Sequence, residues 1–188
     1  LLNQFYDKYI FTGGLKYTHN NFSLMGIPFA MVPVQLLLFE KLADDKEFTK
    51  KVYYSVKDSM VKSFKSEFGI DFKLEGTQGL LLAEQFFSAS GWGLVSQNDL
   101  DREKKHAIMI VNNSPFALHL VGKSKGPADH LLRGVFAGLF SVFFEKKVDC
   151  VETECMALNA QRCKFVIKEN HDFDFKNPLV RQQIDAQE

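Results

Sequence analysis

The stretch VETECMALNAQRCKF, residues 151–165, holds two of the three cysteines of this chain. Glu152 stands three places before Cys155, and Cys163 stands eight places after it. The runs VDCVETECMAL (148–158) and RCKFVIKEN (162–170) read as two strands, and Asn159-Ala160-Gln161 joins them in a tight connection. Working outward from this hairpin, the order of elements is strands, helices, strands, helix, strands. That order is an α+β pattern rather than a regular βαβ repeat.

Just upstream, HLLRGVFAGLFSVFFEKK (130–147) reads as a strongly apolar helix rising from the loop KSKGPAD (123–129). WGLVSQNDL (92–100) and KHAIMIVNN (105–113) read as strands around the polar turn DREKK (101–105). TQGLLLAEQFFSASG (77–91) reads as a helix with Thr77 as N-cap and Gly91 as stop. Residues 44–69 give the clearest helix. Phe48, Val52, Tyr53, Val56, Met60 and Phe64 recur there mostly at three- and four-residue spacing. Asp44 or Asp45 caps its start and Gly69 ends it. Pro33 opens a shorter helix continued by Leu36, Leu37, Phe39, Glu40 and Leu42. QFYDKYIF (4–11), LKYT (15–18) and FSLM (22–25) read as a small N-terminal meander. The polar tail, 170–188, is expected to be partly loose.

With 188 residues the chain reads as one domain, 1–188, with N-terminal strands and helices over 1–100 and the core motif over about 105–168. Lysine plus arginine equals aspartate plus glutamate at 23 each, so no basic footprint points to nucleic acid or to a polybasic membrane anchor. The longest apolar run, IPFAMVPVQLLLF (27–39), is too short to span a bilayer and contains two prolines. Three cysteines make an odd, sparse set for a disulfide-stapled secreted domain, and no signal-peptide pattern opens the chain. The expectation is a soluble, cytoplasmic protein.

Three readings of the thiols compete. A Cys155–Cys163 disulfide would not persist in a reducing setting. Buried free cysteines need no special explanation, because the thiol behaves as a small hydrophobe. A metal site needs four ligands, or three and a water. Cys155, Cys163 and Glu152 supply three candidates. Strict strand alternation would put Glu152 and Cys155 on opposite faces, so a twist or bulge must bring them together. Asp129 and His130, at the start of the apolar helix, are the candidates for the fourth position.

The residues Gly134, Gly138, Glu152, Cys155, Cys163 and Phe165 carry a resemblance to the 4-vinyl reductase domain, over about residues 125–168. The resemblance implies an antiparallel sheet packed against helices, usually dimeric, of the type shared with small core subunits of the TRAPP vesicle-tethering complex (the NO-signalling and Golgi-transport ligand-binding fold). It implies a module that binds a small hydrophobic or hydrocarbon ligand. In related sensor domains a zinc is held by a cysteine near the helix start and by a glutamate and two cysteines of the last hairpin. Those positions fall here on Asp129, Glu152, Cys155 and Cys163. Asp129 departs from the pattern, and so does the missing hairpin glycine, whose left-handed conformation Asn159 can supply.

Two glycines inside one helix each cost about 1 kcal/mol and need a reason. Either Gly134 and Gly138 allow close helix–sheet packing, or they open a cavity wall. Phenylalanine is abundant, 19 residues against one Trp and five Tyr, which suits an apolar interior. Phe86, Phe87, Trp92, Phe136 and Phe140 are the candidate pocket lining. No GxSxG, Walker loop, HExxH or GxGxxG occurs, and no catalytic residue is assigned. The expected function is a stand-alone ligand-binding or sensor protein with a structural zinc. It would form a homodimer and have a possible protein partner. The alternatives are a TRAPP-like assembly subunit and, behind it, a reductase.

Overall fold

The computed structural model describes residues 15–19, 21–24, 27–38, 42–65 and 76–187. Leu15–Thr18 (β1), Asn21–Leu24 (β2) and Ile27–Phe29 (β3) form an antiparallel meander. The strand expected over 4–11 lies outside the described residues, as do Met25, Phe39, Glu40 and the helix stop at Gly69. Val34–Leu38 (α1) follows Pro33 as expected, though β3 was not foreseen, because a proline (Pro28) sits within it. Lys46–Lys65 (α2) is capped by Asp45, whose Oδ1 accepts from the Phe48 N–H at 3.0 Å.

Thr77–Ala89 (α3) starts one residue earlier than the capping pattern suggested. Gly76 holds the N-cap position in extended conformation, and Thr77 is already helical. Leu94–Asp101 (β4) and His106–Asn112 (β5) flank the polar turn, and Pro115–His119 (α4) comes next. This short helix was missed. Its start is set by Ser114, which accepts from the Ala117 N–H at 3.3 Å, and by Pro115 in the first turn. His130–Phe143 (α5), Asp149–Glu154 (β6), Cys163–Lys168 (β7) and Pro178–Arg181 (α6) complete the chain. The second sheet is antiparallel throughout, in the order β4-β5-β7-β6. The fold is therefore α+β, with an antiparallel sheet packed against helices.

The tail is not loose. Val180, Gln183 and Ile184 are buried, and Asn170 donates to Asp149 and to the Asp185 carbonyl. Its polar side chains make specific internal hydrogen bonds, which composition alone could not reveal.

Helix α5 runs through the core, with eleven residues buried, and packs along α2. The close approach explains its glycines. A Cβ on Gly138 would lie 2.5 Å from Met60 Cβ and 2.9 Å from the Lys57 carbonyl. On Gly134 it would lie 2.7 Å from Val56 Cβ and 2.8 Å from the Tyr53 carbonyl. The glycines thus seat one helix on another, not the helix on the sheet as expected, and open no cavity wall. Gly138→Ala is expected to destabilise by up to about 2 kcal/mol, since an overpacking cost of about 1–3 kcal/mol is set against a propensity gain of about 1. Gly126→Ala, where the added atom meets nothing closer than the Gln182 carboxamide at 3.7 Å, is the control in a denaturant titration.

Helix α3 is tied to β4 by two side chains. The Val95 N–H donates to Ser88 Oγ at 3.0 Å, and the Gln97 N–H donates to Glu84 Oε1 at 3.1 Å. Burial pushes the Glu84 carboxyl up to about 7, with the Gln97 N–H pulling the other way. A carboxyl raised on folding costs stability as pH climbs from its unfolded value toward its folded one. Glu84→Gln is therefore expected to raise the melting temperature at pH 8. The gain should fade as pH falls toward 4.5, where Glu84 is protonated in both states. A pH series of thermal melts reads this directly.

Candidate metal centre

The hairpin β6–β7 has the irregularity that the metal reading of Glu152 and Cys155 required. The register of β6 against β7 shifts between Glu152 and Glu154. Asp149 to Glu152 are all buried, Thr153 is exposed, and Cys155 turns back inside. The bulge reverses the alternation and puts Glu152 and Cys155 on the same side. After Cys155 a 3-10 turn, Met156–Leu158, leads to Asn159 at φ 66, the left-handed residue expected there. That turn and the return through Arg162 bring Cys163 under Cys155, and the Met156 N–H donates to Cys163 Sγ at 3.3 Å.

The ligand atoms of Glu152, Cys155 and Cys163 lie within 4.8 Å of one another, all buried. Asp129, at the N-cap of α5, lies beside this group on the helix side, outside the set of three whose ligand atoms are mutually within 4.8 Å. Its N–H donates to Glu152 Oε2 at 3.0 Å, and the Ser114 hydroxyl donates to its Oδ1 at 3.0 Å. The Cys163 thiol lies beside the Asp129 carboxyl, and Cys155 beside that of Glu152. Asp129 Oδ2 and Glu152 Oε1 are buried with no well-formed hydrogen bond. His130 is not in this group. Its Nδ1 meets Arg133 Nη2 at 3.2 Å, and its ring also reaches the Ala43 backbone. Burial, then the Arg133 charge, lowers it to about 3. Of the two fourth-ligand candidates, the structure brings Asp129 to the thiols and aims His130 elsewhere.

The electrostatics describe a site short of positive charge. Burial, then the Cys155 charge, raises Asp129 to about 7. Burial, then Asp129, raises Glu152 well above the carboxylate range. The hydrogen bond to Cys155 and burial push Cys163 up, while the same bond lowers Cys155 to about 6. Cys155 also accepts from the backbone N–H groups of Ala128 and Ala157, which favour a thiolate. All three cysteines are free and buried.

This donor set fits a divalent ion of zinc type. Two thiolates and two carboxylates are accepted zinc ligands, and zinc sits about 2.0–2.3 Å from such atoms. Donors within 4.8 Å would close by roughly an ångström around it. The orphaned oxygens of Asp129 and Glu152 would gain the partner they lack.

The candidate pocket residues divide between α5 and the end of α3, with Trp92 in the turn that follows α3. On α5, Phe136 packs edge-on to Phe165, and Phe140 packs against Phe143 and Phe144. On α3, Phe87 meets Phe86 and Trp92, and Trp92 meets Phe116 at 5.3 Å. A small apolar cavity of about 20 Å³ lies between α1, α2, α4 and α5, lined by Leu38, Phe48, Val52, Phe116, Leu131 and Asp129, among others. A larger cleft of about 800 Å³ lies between α2 and the C-terminal end of α5, with Lys57, Lys65, Lys146 and Lys147 in its lining. Neither opening includes Phe86, Phe87, Trp92, Phe136 or Phe140. Sequence reasoning also missed Ser114, Arg133 and Gln183, which carry no motif and acquire meaning only through contacts from distant parts of the chain.

This is a fold of the 4-vinyl reductase domain type, built around a buried carboxylate–thiol centre. Residues 108–169 match the family model of that domain, so the resemblance carried by the hairpin and the apolar helix stands over that stretch, which is less than half of the chain. No curated protein matches the chain by sequence. Among solved structures, it is similar to the phenol-responsive sensory domain of the transcription activator PoxR with phenol. The identity is 13%, over 93% of this chain and 94% of that one, at a TM-score of 0.65. It is also similar to a vinyl-4-reductase family protein from Methanocaldococcus jannaschii, 17% identical over 75% and 83%, at 0.51. A trafficking protein particle complex subunit 3 from Naegleria fowleri, covalently bound to palmitic acid, is 10% identical over 73% and 82%, at 0.42. At such identities the first two similarities establish the fold. Among the described residues no helix is long and apolar enough to cross a membrane.

Proposed function

We propose that the chain is a binding or sensor protein for a small hydrophobic ligand, built around a structural zinc held by Asp129, Glu152, Cys155 and Cys163. The observation that carries the metal reading is the convergence of three buried donors, Glu152, Cys155 and Cys163, within 4.8 Å of one another, with the Asp129 carboxyl beside Cys163 and one oxygen each of Asp129 and Glu152 left unpaired. Four protein ligands leave no position open for water or substrate, which favours a structural over a catalytic ion. Bound there, zinc would neutralise the donors and pin the β6–β7 hairpin to the start of α5.

The sensor half of the reading draws support from the shared fold of a phenol-responsive domain. The apolar cavity beside Asp129 has room for roughly one water in this form. A ligand would enter by displacing the walls from α1 and α2. Phe116 lines that cavity and touches the single tryptophan, Trp92. A homodimer belongs to the same reading, supported by the exposed apolar residues Met31, Leu36, Leu118 and Val121.

The test is elemental analysis of protein purified without chelator, followed by titration with phenol and apolar aromatics, monitored by Trp92 fluorescence. One zinc per chain and a saturable fluorescence change are expected. Absence of metal sinks the zinc reading, and a linear, non-saturating response to every compound sinks the ligand reading.

A further inference from the structure

Gln183, just beyond α6, is 2% exposed and has no role in the sequence patterns above. Its carboxamide bridges both main-chain polar groups of Glu152. The Glu152 N–H donates to Gln183 Oε1 at 2.9 Å, and Gln183 Nε2 donates to the Glu152 carbonyl at 2.9 Å. Nε2 also donates to the Leu179 carbonyl at 3.0 Å. These three bonds fix which way the amide faces, because a flipped amide would set donor against donor and acceptor against acceptor. The main-chain carbonyl of Gln183 in turn accepts from Arg133 Nη1 at 2.9 Å. Arg133 is wholly buried, with its guanidinium 4.7 Å from the centre of the Tyr53 ring.

The location gives these bonds their meaning. Among the described residues β6 is an outer strand, paired only with β7. Glu152 is the last residue before the bulge, where the ladder to β7 is disrupted. On its other side no described strand holds the residue in place, and Gln183 supplies there the two hydrogen bonds that a neighbouring strand would have made.

We propose that Gln183 is a positioning residue of the metal centre. It holds the backbone of Glu152 at the bulge so that the Glu152 carboxylate faces Cys155, Cys163 and Asp129. The inference rests on the zinc reading above. It makes the C-terminal segment, distant in sequence, part of the support of the site.

The experiment compares the unaltered chain with Gln183→Ala and Gln183→Met. The methionine variant keeps the volume and removes the hydrogen bonds, and it carries the test if the alanine variant fails to fold. Two readouts are taken well below the melting temperature: the rate of zinc transfer to a chromogenic chelator, and the absorption spectrum of the cobalt(II)-loaded protein. Both variants should keep the wild-type circular dichroism, lose zinc about 10–100-fold faster and show altered cobalt bands, as for loss of outer support at metal sites. A methionine variant with wild-type transfer rate and cobalt spectrum overturns the proposal and leaves Gln183 as a space filler. Wild-type protein that takes up neither metal overturns the zinc reading, and this inference with it.

Discussion

Cys155→Ser is expected to leave the protein without zinc and to lower its melting temperature by on the order of 10 °C, from the linkage and size scaling that follow. Among the four donors, Cys155 is the one whose ionisation the fold favours, through the Cys163 hydrogen bond and two backbone N–H groups. A serine hydroxyl does not ionise near neutral pH and is a poor zinc ligand, so the variant loses the donor that the others surround. A ligand bound only by the folded state adds about 4 kcal/mol when present at roughly a thousand times its dissociation constant. For a chain of this size each kcal/mol moves the melting temperature by about 2–4 °C. The control is wild-type protein stripped of metal, which should melt close to the variant. A melting temperature indifferent to both the substitution and the metal would remove the structural ion from this account.

Asp149→Asn should cost about 3–5 kcal/mol, a comparable drop in melting temperature. Asp149 starts β6 and is 1% exposed. Lys57 reaches its Oδ1 at 2.6 Å and Tyr53 at 2.7 Å, while Asn170 donates to Oδ2 at 2.8 Å. The Tyr53 hydroxyl also accepts from the Cys150 N–H at 3.0 Å. Neutralising the carboxylate strands the Lys57 charge in the interior, and that uncompensated charge dominates the cost. The pair itself contributes less, because both ions were desolvated to make it. The double variant Lys57→Met with Asp149→Leu is therefore expected to recover part of the loss in urea titrations. A single variant as stable as wild type would show that the buried charge is hydrated or displaced.

The legible part of the fold was the part written in periodicity. The α2 pattern of Phe48, Val52, Tyr53, Val56, Met60 and Phe64 gave that helix, and alternation with turn chemistry gave the strands of the second sheet. The metal reading required a bulge between Glu152 and Cys155, because alternation and convergence conflicted, and the ladder is irregular there. What was not legible depends on pairings across long stretches of chain. The choice of Asp129 over His130 rests on Ser114 and on the turn of the His130 ring toward Arg133. The glycines of α5 were visible, but their partner was a helix far away in sequence. The order in the tail depends on Gln183 and Asn170 meeting Glu152 and Asp149. No local propensity encodes such meetings.

The hydrogen bonds at the two outer strands bear on how this protein can associate. On β4 the N–H groups of Val95 and Gln97 are taken by Ser88 and Glu84. On β6 those of Cys150 and Glu152 are taken by Tyr53 and Gln183. Over these stretches each margin of the four-stranded sheet is already stitched to a side chain. An incoming strand would find those donors already taken, which hinders sheet-to-sheet extension, a common route to aggregation, along these stretches. Docking of a second copy is thereby directed away from them, toward helices or the N-terminal meander.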